Sequence, residues 1–155
     1  MHLAVYRRRP DVMAIARGHP RNVAAYACAG ASLKVAHGFG ANLGAEVPVF
    51  REPYLITDGE MADGVASALG GGDAAILQGN GMLAVGETVP HACVRALLLE
   101  ETAELQLRAQ AAGMKPQFYS AQGAARRNGD DRAHEPVRAW EYYVAAAEGR
   151  ITISG

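Results

Sequence analysis

The sequence has no surplus of either charge: 15 Lys and Arg stand against 16 Asp and Glu, a formal net charge of −1. Such a balance gives no general attraction to nucleic acid or to an acidic membrane surface. No apolar run approaches the ~20 residues of a membrane span, and no signal-peptide pattern opens the chain. Cysteine is scarce. Cys28 and Cys93 sit in apolar, Ala-rich surroundings, which predicts buried reduced thiols and a cytoplasmic setting. No internal repeat is visible. Phosphate-binding motifs are missing too. Gly38, Gly40 and Gly44 do not follow G-x-G-x-x-G, and Gly70-Gly71-Gly72 lacks the Lys-Ser/Thr of a P-loop. Arg7–Arg9 has no aromatic or glycine-rich company, so it reads as a solvated helix end rather than a nucleic-acid patch.

What is present describes one α/β domain. At 155 residues, with 50% hydrophobic and 20% charged residues, the chain is long enough to bury a real core. Its organising stretch is 73–113. Ala74–Leu77 and Met82–Val85 flank Gly79-Asn80-Gly81, and Asn-Gly between two apolar runs predicts a hairpin with positive φ at its tip. Both runs are apolar at nearly every position, so the hairpin belongs inside a layered sheet. Thr88 caps the helix that follows, Pro90 suits its first turn and Gly113 stops it. That helix carries two apolar stripes, Val94-Leu98-Thr102-Leu105 and Ala96-Leu99-Ala103-Leu107. One stripe is expected on the sheet and the other against a neighbouring subunit. Glu104 and Arg108 form a favourable i,i+4 pair on the polar strip.

Elsewhere, Met1–Arg9 reads as a helix ended by Pro10. Val12–Ala16 is a buried strand leading into Arg17-Gly18-His19-Pro20 and a helix over Arg21–Ala29. Strand end to helix start is where α/β folds place ligands, although His19 taken alone is an ordinary structural loop histidine. Leu33–His37 is a further central strand, with His37 structural. Two prolines make 47–56 an edge strand or a broken one. Thr57 and Glu60 form a capping box for a helix to Leu69. Lys115–Glu135 reads as irregular, with 122–132 mobile. Val137–Ala147 is a last helix whose Trp140, Tyr142 and Tyr143 pack, and 151–154 is a frayed tail. The central sheet is expected from Val12–Ala16, Leu33–His37, Ala74–Leu77 and Met82–Val85, with helices on both faces.

The stretches LAVYRRRPDVMAIARGHP (3–20), AAILQGNGMLAVG (74–86) and HACVRALLLEETAELQLRA (91–109) resemble the class II aldolase/adducin family. The terminal RAWEYYV (138–144) resembles its decarboxylase-like members, which act on hydroxylated aromatic dicarboxylates. The resemblance implies a three-layer α/β/α domain over 1–113, with 114–155 packing on it, lacking the N-terminal strands of the family. It implies a homotetramer with its site at a subunit interface. It also implies a zinc or manganese ion held by histidines, which stabilises the carbanion left when a carbon–carbon bond breaks.

Carried onto this chain, the family's His-x-His falls on Arg17-Gly18-His19, and its Asn-His-Gly falls on Gly79-Asn80-Gly81. The metal positions are therefore His19 and Asn80. The family's catalytic glutamate would precede Met1. Asn80 offers a neutral amide oxygen, and Arg17 is a fixed cation that suits a substrate carboxylate better than a metal. Two functions follow from the resemblance. One is a metal-dependent carbon–carbon lyase, an aldolase or aromatic-acid decarboxylase with a small carbonyl or carboxylate substrate. The other is a non-catalytic, adducin-like binding or assembly domain with a degenerate metal site.

Overall fold

A computed structural model of the chain describes residues 1–129 and 135–152. Helix α1 (His2–Arg8) runs into strand β1 (Ala14–Gly18) and helix α2 (Arg21–Ala29). Two short strands, β2 (Leu33–Lys34) and β3 (Glu46–Val47), enclose a 3-10 helix over Phe39–Leu43. Then come β4 (Val49–Phe50), α3 (Gly59–Leu69), β5 (Ala74–Leu77), β6 (Met82–Gly86), α4 (Val89–Ala111), α5 (Ala121–Asn128) and α6 (Glu135–Ala147).

The central sheet has the order β1-β6-β5-β4. Its β1–β6 and β5–β6 pairs are antiparallel, and β4 runs parallel to β5. Every residue of β5 and β6 is buried. Alternation divides them between two cores. Ala74, Ile76, Met82 and Ala84 face α2 and α4. Ala75, Leu77, Leu83 and Val85 face α1 and α3. The result is three layers, helices on either side of a sheet whose middle strands have no polar face.

Several expectations are corrected. Leu33–His37 is not in the central sheet; the fourth strand there is β4, on the edge. The 3-10 turn brings the chain back within a dozen residues, so Leu33–Lys34 pairs locally with Glu46–Val47. β1 begins at Ala14 rather than Val12, because its partner β6 ends at Gly86, opposite Ala14. Asp58, not Thr57, caps α3, its carboxylate accepting from Met61 N at 2.9 Å. The turn of the hairpin spans Leu77–Asn80, closed by Asn80 N to Leu77 O at 2.8 Å. Positive φ falls on Gly79 and Gly81 and not on Asn80.

Thr88 does cap α4, and Glu104 pairs Arg108 at 2.6 Å. The second face of α4 is covered by α2, α6 and the 3-10 turn of this same chain. Part of the segment expected to be irregular and mobile is helix α5, capped by Ser120; residues 130–134 of it, and 153–154 of the tail, lie outside the described residues. Cys28 is exposed rather than buried. Arg9 is no solvated helix end, since it bonds Asp11 and the carbonyls of Gly70 and Gly72 and so ties α1 to the end of α3.

Candidate functional site

The end of β1 and the β5–β6 turn meet at one edge of the sheet. The register Arg17↔Leu83 and Gly18↔Met82 sets the turn beside the residues that leave β1. Gly81 makes the approach possible: a Cβ there would overlap the Gly18 carbonyl oxygen and the His19 ring, and its φ is +74°. Only glycine combines that dihedral with that contact at low cost.

The structure thus brings together Arg17, His19 and Asn80, three residues from segments about sixty positions apart. Arg17 Nη2 donates to Asn80 Oδ1 at 2.7 Å and to Asn80 O at 3.2 Å. His19 Nε2 lies 3.3 Å from the same Oδ1. Arg17 and His19 are both exposed, so the cluster opens to solvent.

The helix behind it is held by a residue that the sequence marks only as polar. Pro20 occupies the N-cap of α2 and supplies no capping side chain. Glu100, from the middle of α4, does so instead. Its carboxylate accepts from Asn22 N at 2.9 Å, Val23 N at 2.9 Å and Asn22 Nδ2 at 2.8 Å. A carboxylate against free helix amides is a favourable arrangement. It also fills the position where an α/β fold would seat an external anion. The one sequence signal is an α2 start with no side-chain cap of its own.

These residues do not fit a divalent metal. His19 is the single imidazole, and the Asn80 Oδ1 lone pairs already face the Arg17 and His19 nitrogens. A divalent ion about 4 Å from the guanidinium is repelled by roughly 2 kcal/mol in water and roughly 8 kcal/mol at an effective dielectric of about 20. Among the described residues no three His, Cys, Asp or Glu side chains converge.

A separate cavity of about 390 Å³ lies between α4, α6 and the 3-10 turn, lined by Phe39, Leu98, Glu101, Arg138, Tyr142 and Tyr143 among others. The two tyrosines pack edge to face at 5.4 Å. Burial, with Glu101 nearby, pushes the Tyr143 hydroxyl above its usual range. His37 is placed by packing: its Nε2 bonds Thr102 Oγ1 at 2.8 Å.

Residues 1–107 match the sequence profile of the Class II Aldolase and Adducin N-terminal domain. The chain belongs to that family. Within the family it is 32% identical over 118 residues to 3,4-dihydroxyphthalate decarboxylases of Terrabacter sp. (strain DBF63) and Rhodococcus jostii (strain RHA1). Each match covers 73% of this chain and 49% of the relative. The chain therefore spans about half the length of these relatives. Among solved structures it matches an L-fuculose 1-phosphate aldolase with a TM-score of 0.75 at 26% identity, covering 81% of this chain and 58% of that one. L-fuculose 1-phosphate aldolase from Glaciozyma antarctica PI12 matches with a TM-score of 0.74 at 25% identity, covering 96% and 58%. The three-layer domain thus has the class II aldolase fold. No described helix is long and apolar enough to cross a membrane.

Proposed function

We propose that this chain belongs to a carbon–carbon lyase of the class II aldolase type, in a carboxy-lyase branch acting on a hydroxylated aromatic carboxylate. The observation that carries the reading is the exposed Arg17 guanidinium, fixed by Asn80 at 2.7 Å beside His19. Similarity to decarboxylases of a dihydroxylated aromatic acid supports the branch. In this reading Arg17 holds the substrate carboxylate through a planar fork of N–H donors. A hydroxyl next to the departing carboxyl donates electron density that stabilises the ring cation formed on protonation, and that cation is the electron sink. His19 delivers a proton to the ring carbon, the bond to CO2 breaks, and its electron pair restores aromaticity. No step passes through zinc or manganese, which the donor set does not suit. We place the protein in the cytoplasm as a homotetramer, a reading supported by its two free thiols and by its exposed apolar residues.

The test is CO2 release from 3,4-dihydroxyphthalate in the presence of chelator. We expect turnover, reduced at least about 10²-fold in Arg17→Ala and in His19→Ala. A protein that binds the compound but never releases CO2 would leave the second reading, an adducin-like binding or assembly domain. What favours that second reading is the donor set of Arg17, His19 and Asn80 itself, beside which no three His, Cys, Asp or Glu side chains converge among the described residues.

A further inference from the structure

We infer that the junction of β1 with the β5–β6 turn is an oxyanion site that excludes divalent cations, with Arg17 as its binding residue and Asn80 as the residue that positions Arg17. The inference deepens the carboxylate reading but does not depend on turnover, because it is read out by binding. It rests on which groups are left free. Arg17 Nη2 directs both of its bonds at Asn80. Nη1 and Nε have no partner among the described residues, so three N–H groups remain free to face an incoming ligand.

The Asn80 amide is oriented by the same bonds. Its Oδ1 points at the guanidinium and at His19 Nε2, which turns Nδ2, another donor, the other way. With Oδ1 accepting, His19 meets it through an Nε2–H, and a single imidazole lone pair, on Nδ1, is left. A metal needs converging lone pairs, and here they are consumed. An oxyanion needs converging N–H donors and positive charge, and those are what the rim retains.

The neighbouring amide site cannot compete for the ligand. The N-terminus of α2 already holds the Glu100 carboxylate. An anion arriving at this edge of the sheet therefore meets Arg17 first. Asn80 acts through Arg17: without it the guanidinium loses its fixed orientation while its charge remains.

Isothermal titration of the full chain in chelator tests the anion arm, with phthalate and inorganic phosphate as probes. Titration with zinc and manganese after chelator removal tests the cation arm. We expect at least one anion to bind one-to-one. Phthalate alone would mark an aromatic carboxylate site, phosphate alone a compact oxyanion site, and both a general one. Arg17→Ala should weaken binding about tenfold or more, with Arg17→Lys recovering part of the loss. Asn80→Ala should weaken it severalfold while leaving the melting temperature within about a degree.

Arg17→His combined with Asn80→His puts three imidazoles at the junction, and that variant should acquire stoichiometric zinc that the parent does not take up. Stoichiometric metal in the parent, lost in His19→Ala, overturns the inference. So does failure of both anions to bind, or anion binding that is indifferent to Arg17→Ala. A folded double variant that still refuses zinc would show that Arg17 and Asn80 are not what excludes the metal.

Discussion

Thr102 Oγ1 gives its proton to the Leu98 carbonyl at 2.6 Å, so its lone pair receives Nε2–H from His37 at 2.8 Å. This selects the Nε2–H tautomer whenever the ring is neutral. Burial lowers the His37 pKa below its ordinary value of 6.5, and Glu101 opposes this only in part. The unfolded chain therefore binds a proton that the folded chain refuses, and stability rises with pH across that interval. We expect denaturant midpoints to fall as pH drops below about 6.5, the unfolded value, and the His37→Asn variant to lose that component of the slope. An unchanged slope would show that His37 is not responsible. At this scale the grouping of Arg17, His19 and Asn80 was legible, because each falls on a short motif. Glu100 was not. It bonds Asn22, 78 positions away, and nothing in a helix's own pattern announces a partner at that distance.

The hairpin and the two helices that flank its ends act as elements. Gly81→Ala demands a strained dihedral and pushes the turn off the Gly18 carbonyl. We expect it to cost about 2–5 kcal/mol in chemical denaturation. Gly71 is the control, because a Cβ there meets nothing and its φ is not positive. Arg95 locks α4 to the sheet from below. It bonds Val85 O at 2.7 Å and pairs with Asp73 at 3.3 Å, with both side chains under 10% exposed. Arg95→Ala should therefore cost about 3–5 kcal/mol, and an effect under about 1 kcal/mol would mean that water replaces the pair.

The hairpin and α4 could be read from the chain because their apolar runs are dense and their breakers sharp. Arg95 hides in that same density, one polar residue between Val94 and Ala96. α5 could not be read at all. Of its eight residues only Ala124 and Asn128 are buried, so no stripe exists to see, and contact with Val35 and Ala41 holds it instead.

For the whole molecule, the layer order and three strands of the central sheet were legible, whereas the identity of its fourth strand was not. Leu33, Val35 and Ala36 give 33–37 the look of a strand, whereas Val49–Phe50 lies between Pro48 and Pro53; yet Leu33–Lys34 pairs with Glu46–Val47, and it is Val49–Phe50 that lies beside β5. Both β1 and β4 lie at edges. Met13, just ahead of β1, is 72% exposed, and Leu3 on α1 is 69% exposed. A strand at a sheet edge with large exposed apolar neighbours favours association. Sedimentation velocity should show oligomers that Met13→Lys weakens, and a monomer at every concentration would count against this. Glu100 adds a different consequence. First-turn amides ordinarily exchange with solvent among the fastest in a helix, yet those of Asn22 and Val23 are sealed by a side chain from α4. Their deuterium uptake times how often α2 and α4 part company, so two amide protons serve as a clock for breathing between those helices.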